Sequence, residues 1–260
     1  MDYNFHTHTF RCRHAIGTER EYIEAAIRAG IKELGFSEHI PFIFPNGKEN
    51  SYRLPMTEVQ EYIDTVNALK KEYKGRINIH LGFEVEYYPE YFDEMVKNAR
   101  RWGAEYLING QHSVGFEPEF FFWCTDETEN EEYLKEYVFR VVSAIKSGVF
   151  TYIAHPDMIN FVGDIEIYNK EIQKICKASK EFNVPLEINF LGIRDKRNYP
   201  TEKFWAIAGQ EGSPVIFGFD AHDVCGAADL GSLPKAMQIC EKYNLNLLKR
   251  PELISFARKI

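Results

Sequence analysis

Residues 4–9 read NFHTHT, and a further histidine, His14, follows after the basic turn RCR. Three of the eight histidines in this 260-residue chain thus fall within its first fourteen residues. Read as a strand from Phe5 to His8, the stretch has a geometric meaning. Side chains at i and i+2 leave a strand on the same face, so both rings can meet one ion. An HxH pair alone is a weak signal. Its weight depends on what stands at the ends of the other strands.

Outward from this strand, β-branched apolar runs alternate with helical patterns. TEREYIEAAIRAG (18–30) opens with Thr18 and Glu21 at capping-box spacing and stops at Gly30. Further strand patterns cover 31–39, 76–87, 104–113, 149–157, 184–190 and 213–222. Helical patterns cover 54–73, 89–103, 129–148, 167–182, 201–212 and 232–243. Strict alternation implies parallel strands with helices outside. With about seven clear units, one short of the usual closed barrel, the expected fold is α/β: a distorted (β/α)7 TIM-like barrel. An open doubly wound sheet is the alternative, but no glycine-rich dinucleotide turn follows the first strand. No repeat or linker divides the chain, so one domain over 1–260 is expected. PFIFPNGKENSYRLP (41–55) reads as a long loop and a candidate lid.

The rare residues fall at one end of these strands. His6 and His8 end the first, with His14 in the loop beyond. His39 ends the second, Glu84 the third, His112 follows the fourth, His155 ends the fifth, and Asp220 and His222 end the seventh. In a barrel these ends meet at the face where active sites are built. Only His80 lies inside a strand, and no histidine falls on a helix. A metal is the usual way to hold many neutral imidazoles together.

On NFHTHT with the following RH, SEHIP, LGFEVEY, GQHSV, AHPD, LEINF with LGIR, and FGFDAH, the chain resembles the PHP (polymerase and histidinol phosphatase) family, in its histidinol-phosphate phosphatase type. The resemblance runs through essentially the whole chain and implies a distorted (β/α)7 barrel with three divalent metal ions: zinc, manganese or iron. It implies that His6, His8, Glu84 and Asp220 hold one ion. Glu84 bridges to a second, held with His112 and His155, while His14, His39 and His222 hold the third. It further implies a metal-activated hydroxide attacking phosphorus, with Glu84 and Asp220 as catalytic residues. Arg194 matches a phosphate-binding arginine, and Arg13, beside His14, is a second candidate. Arg197 and Lys196 read as solvated surface. One departure stands out: AHPDMINFVGD has no basic residue where many histidinol phosphatases carry one. Glu38, Asp157 and Asp223 flank ligands, as imidazole-orienting or solvated groups. Trp102 and Trp123 read first as packing.

A formal charge of −8 argues against a nucleic-acid backbone as partner but permits a small phosphorylated substrate. The chain shows no signal peptide or membrane-length apolar run. Five scattered cysteines read as free thiols of a reducing cytoplasm. The competing functions are a PHP phosphoesterase of another substrate (a phosphodiester, an exonuclease substrate or phosphotyrosine) and a non-catalytic metal or phosphoryl-ligand sensor.

Overall fold

The structure, a computed structural model, describes residues 1–116 and 120–254. Its strands are β1 (Tyr3–Asn4), β2 (Glu33–His39), β3 (Asn78–Val85), β4 (Tyr106–Asn109), β5 (Ser113–Phe116), β6 (Phe120–Trp123), β7 (Tyr152–Ile153), β8 (Leu186–Asn189), β9 (Pro214–Gly218) and β10 (Asn246–Leu247). The helices are α1 (Glu19–Arg28), α2 (Val59–Glu72), α3 (Phe92–Arg101), α4 (Glu131–Ser147), α5 (Ile165–Phe182), α6 (Phe190–Asp195), α7 (Glu202–Glu211) and α8 (Leu233–Tyr243).

Eight strands form one parallel sheet in the order β1-β2-β3-β4-β7-β8-β9-β10. The sheet curls until its ends meet. Just beyond β1 and β9, Thr7 bridges Ala221 in parallel. His8 N donates to Ala221 O at 2.9 Å and Ala221 N to His6 O at 3.1 Å. The HTH and DAH segments are therefore hydrogen-bonded neighbours, and seven strands close at their carboxyl ends. This is the expected distorted barrel. The short β10 lies along the other end of β9.

Helix ends follow local chemistry. Thr18 and Glu21 form the expected capping box on α1, and Gly148 ends α4 in the left-handed region at φ 68°. Several elements differ from expectation. The first strand is Tyr3–Asn4 rather than Phe5–His8, and the β5–β6 hairpin and β10 have no counterpart in the sequence pattern. Met56–Glu58 is a 3₁₀ turn, so α2 begins later than its pattern predicts and Thr57 does not cap it. The stretch after β8, expected as a loop, is α6, whose Gly192 N donates to Asn189 Oδ1 at 3.0 Å. Six residues are too few for a 3.6-residue period to declare itself.

Inside the barrel, Tyr106 fills the space beneath the site. Its hydroxyl donates to Phe5 O (2.9 Å) and Phe36 O (3.1 Å), so the ring is buried with its polar tip satisfied. A Cβ at Gly35 or Gly82 would fall 2.2 or 2.3 Å from this tyrosine. Among the described residues, no helix is long and apolar enough to cross a membrane. All five cysteines are free.

Candidate metal centre

Strand register brings the ligand-type residues level. His39 on β2 pairs with Glu84 on β3, and the Thr7–Ala221 bridge sets His6 and His8 beside Asp220 and His222. His155 and Asp220 lie just past β7 and β9 in left-handed backbone, at φ 31° and 47°. Such conformations cost on the order of 1–3 kcal/mol for a non-glycine residue. Both strained residues carry side chains into the cluster.

Glu84, fully buried, is the hub. Its Oε2 lies 3.2 Å from His8 Nε2, 3.2 Å from His39 Nδ1 and 3.6 Å from His6 Nε2. Its Oε1 lies 3.1 Å from His155 Nε2 and 3.3 Å from His112 Nε2. Asp220 Oδ1 faces His6 Nε2 at 3.5 Å and His222 Nδ1 at 3.2 Å. On the outer side, His14 Nε2 and His222 Nε2 stand 3.0 Å apart, and the His14 and His39 rings stack at 5.3 Å. The structure thus gathers all nine positions: His6, His8, His14, His39, Glu84, His112, His155, Asp220 and His222. Donor atoms of His6, His8 and Glu84 lie within 4.8 Å of one another, as do those of His14, His39 and His222. His155 groups with His6 and Asp220, and His112 with His39 and Glu84.

The donors fit divalent cations on two observations. First, His6 Nε2, both ring nitrogens of His8, His39 Nδ1, His155 Nδ1 and Glu84 Oε2 are buried with no hydrogen-bond partner. Buried polar atoms are normally paired, and each one left unpaired costs about 1–3 kcal/mol. Second, the field is that of a cation site. Burial, then the neighbouring His222, presses His8 down to about 3, leaving a neutral ring with a free lone pair. Burial opposes charge on His112 and His6 too. Glu84 and Glu86 nevertheless lift His112 to about 10, and Asp220, Glu187 and Glu84 hold His6 well above its ordinary value. The surrounding carboxylates thus favour positive charge at both rings, which a bound cation would supply. Imidazole and carboxylate donors suit zinc, manganese and iron alike.

The buried carboxylates Glu187 and Glu86 hold this cluster in place. Glu187 Oε1 lies 2.9 Å from His6 Nδ1, and its Oε2 accepts from His155 N (3.0 Å) and Asn189 Nδ2 (2.9 Å). Glu86 Oε1 lies 2.9 Å from His112 Nδ1. Such partners fix the ring that a metal would see. Neither residue was picked out from the sequence, although FEVE and LEIN place each carboxylate at i+2 or i−2 from Glu84 or Asn189. Two glycines make room. A Cβ on Gly110 would fall 1.7 Å from Glu84 Oε1, and one on Gly218 1.6 Å from Glu187 Oε1.

The residues flanking the ligands do other work. Glu38, buried and pushed up to about 8 by burial, accepts from Thr9 N (2.7 Å) and Thr9 Oγ1 (2.6 Å). Asp157 accepts from Thr201 N (2.6 Å) and Trp205 Nε1 (3.0 Å), anchoring the start of α7. Asp223 accepts from Gly226 N at 2.7 Å. Their hydrogen bonds go to backbone, hydroxyl and indole donors and not to an imidazole. His80 lies apart, between Glu33 and Glu105.

The cluster floors a cavity of about 530 Å³. Arg194, on α6, lines it while its Nη1 donates to Phe219 O (2.9 Å) and Asp229 Oδ2 (3.1 Å) and its Nη2 to Asp220 O (2.9 Å). Arg194 therefore also braces the strained turn at Asp220. Arg13 does not enter. Its side chain is 56% exposed and reaches Glu58 at 3.4 Å, because left-handed backbone at φ 65° turns it away from His14's side of the loop. Arg197 is exposed, as the surface reading expects, and it also lines the cavity, with Nη1 donating to Tyr199 Oη at 3.2 Å. Trp123 also lines the cavity, edge-on to Tyr52 at 5.3 Å, whereas Trp102 packs near Phe83. The antiparallel β5–β6 hairpin presents Trp123.

The family model for the PHP domain matches residues 4–190. A probable histidinol-phosphatase of Deinococcus radiodurans is 30% identical over 227 residues, covering 84% of this chain and 85% of that protein. The histidinol-phosphatase of Bacillus subtilis is 27% identical over 259 residues, covering 87% and 94%. The crystal structure of histidinol phosphate phosphatase from Lactococcus lactis, complexed with zinc, L-histidinol and phosphate, shares the fold at a TM-score of 0.70 and 20% identity, covering 95% of each chain. With the family model spanning well over half the sequence and the barrel closing on the same histidine-rich face, the chain belongs to the PHP family.

Proposed function

We propose that the protein is a metal-dependent phosphomonoesterase that hydrolyses L-histidinol phosphate to L-histidinol and phosphate, a step of histidine biosynthesis. One observation carries the reading. Seven histidines, four of them with unpaired ring nitrogens, converge with Glu84 and Asp220 at a cavity that Arg194 and Arg197 also line. The substrate follows the relatives named histidinol-phosphatase. His6, His8, Glu84 and Asp220 would hold one ion; Glu84, His112 and His155 a second; His14, His39 and His222 the third. Bound there, the ions supply Lewis acidity and a water of lowered pKa.

The chain's own groups do the rest. Burial opposes ionisation of Asp220, yet His6, His222 and His155 hold it well below the usual carboxylate range. It is therefore ionised, suited to hold a cation at Oδ1 or to accept a hydrogen bond from a water there, and has no proton of its own to donate, while Asn189 Nδ2 donates to Oδ2 at 3.0 Å. Arg197 would neutralise charge on phosphoryl oxygens, while Arg194, whose Nη groups already serve Phe219 O, Asp229 Oδ2 and Asp220 O, would add positive field from the cavity wall. Arg197 supplies the cation that is missing after AHPD. Arg197→Ala is expected to raise KM for phosphoester about 10-fold or more, the worth of one charge-assisted hydrogen bond, with a smaller change in kcat. An unchanged KM in steady-state assays returns Arg197 to the surface.

Glu187→Gln keeps shape but removes the charge that holds His6 and receives His155 N. Metal affinity or kcat is expected to fall roughly 10- to 100-fold, measured by metal competition and phosphate release. An unaffected variant would make Glu187 a packing residue.

The function itself is tested by assaying zinc- or manganese-loaded protein against histidinol phosphate, a phosphotyrosine peptide, a phosphodiester and single-stranded DNA. The reading expects kcat/KM for histidinol phosphate to lead. A lead of orders of magnitude for any other substrate overturns the substrate assignment while leaving the metal centre intact.

A further inference from the structure

The loop 41–55 is tied to the metal centre by a buried arginine. Phe42 and Phe44 anchor its first part beneath the surface, with their rings near Tyr91. At its far end Arg53 is only 1% exposed. Its Nη1 lies 2.8 Å from Glu86 Oε2 and donates to Ile40 O at 3.2 Å. Glu86 Oε1 lies 2.9 Å from His112 Nδ1, and His112 Nε2 lies 3.3 Å from the hub oxygen Glu84 Oε1. A run of alternating charge and imidazole thus leads from the loop to Glu84. The preceding residue, Tyr52, lines the cavity, edge-on to His39 at 5.6 Å and to Trp123 at 5.3 Å. Of two adjacent loop residues, Tyr52 therefore lines the cavity and Arg53 meets the carboxylate behind a ligand-type histidine.

A buried ion pair adds little net stability, but losing one partner strands the other charge at a cost of about 3–5 kcal/mol. Its use here is orientation. The Arg53 charge, with Nη1 2.8 Å from Glu86 Oε2, sits against the Glu86 carboxylate, and that carboxylate decides that Nδ1 of His112 is engaged behind the ring and Nε2 is presented to the centre.

We propose that Arg53 is a positioning residue that couples loop 41–55 to the metal centre: by holding Glu86 against His112, it makes order of the loop and ion occupancy at His112 depend on each other. The inference rests on the metal-centre reading above. Linkage requires the dependence to run both ways, which gives two readings that need no turnover.

The experiment compares wild type with Arg53→Met, zinc-loaded and chelator-stripped. Zinc affinity is measured by competition with a chelator, and amide hydrogen exchange is followed across 41–55. In the wild type, stripping zinc is expected to speed exchange in this loop. In Arg53→Met, zinc affinity is expected to fall roughly 10- to 100-fold, with loop exchange fast whether or not zinc is present. If the methionine variant does not fold, Arg53→Lys, which keeps the charge without the guanidinium, decides by the same two readings, with a smaller loss in each. Wild-type affinity in the folded variant, or retained zinc-dependent protection of its loop, overturns the coupling. So does a wild-type loop whose exchange ignores bound zinc. A wild-type chain that binds no zinc refutes the metal centre together with the coupling.

Discussion

Glu84→Gln is expected to fold, to lose bound metal and to lose at least about 10³-fold in kcat, taking the removal of a single preorganised electrostatic group as the lower bound. The size follows from the geometry. One carboxylate stands within 3.1 to 3.6 Å of ring nitrogens from five histidines. Burial opposes its charge, yet His112, His6 and His39 hold it well below the usual carboxylate range. Glutamine has the same shape and hydrogen-bonding capacity on one side, but no charge to offer the two ions that Glu84 would bridge in the proposed function. The fold is expected to persist because Glu84 is held by the β3 ladder, not by its side chain. Elemental analysis and phosphate release measure the two losses. A Glu84→Gln protein with full metal content and wild-type rate would refute the bridging role.

Gly110→Ala is expected to cripple the same site without touching a ligand. The added Cβ would fall 1.7 Å from Glu84 Oε1 and 2.6 Å from its Cδ, far inside van der Waals contact. Either Glu84 swings away from His112 and His155, or β4 shifts from β3. Overpacking of this kind costs about 1–3 kcal/mol, a fall in Tm of several degrees. The activity loss is expected to exceed what that stability loss explains, because the displaced atom is the one nearest His155 and His112. Calorimetry and kcat on the same preparation separate the two effects. Gly231→Ala is the control, since its nearest neighbour would be Asp229 at 3.4 Å. If Gly110→Ala kept both metal and rate, Glu84 would have slack that the hub geometry denies it.

Much of the barrel was legible because alternation of strand and helix patterns is a long-range signal that many residues carry together. The site was legible because histidine is rare: seven of eight at strand ends is hard to obtain by scatter. The supporting carboxylates were harder. The rule that pairs His6 with His8 also pairs Glu84 with Glu86 and Glu187 with Asn189, but glutamate is common on solvated strand ends, so the same spacing selects little. Arg194 and Arg197 show a different limit. Both sit in GIRDKR, and what separates them from Lys196 is α6 and the left-handed turn that ends it at Lys196, φ 56°. A helix of six residues leaves too short a pattern to read. Arg13 was drawn toward the site by its neighbour His14, and only the backbone turn shows it leaving.

The most direct test of the central claim is phosphate release from L-histidinol phosphate by one preparation in three states: zinc-loaded, stripped by chelator, and reloaded. Turnover in the first state, its loss in the second and its return in the third are the predicted result. Turnover that survives complete removal of metal, or none from a chain shown by elemental analysis to carry its zinc, would contradict it.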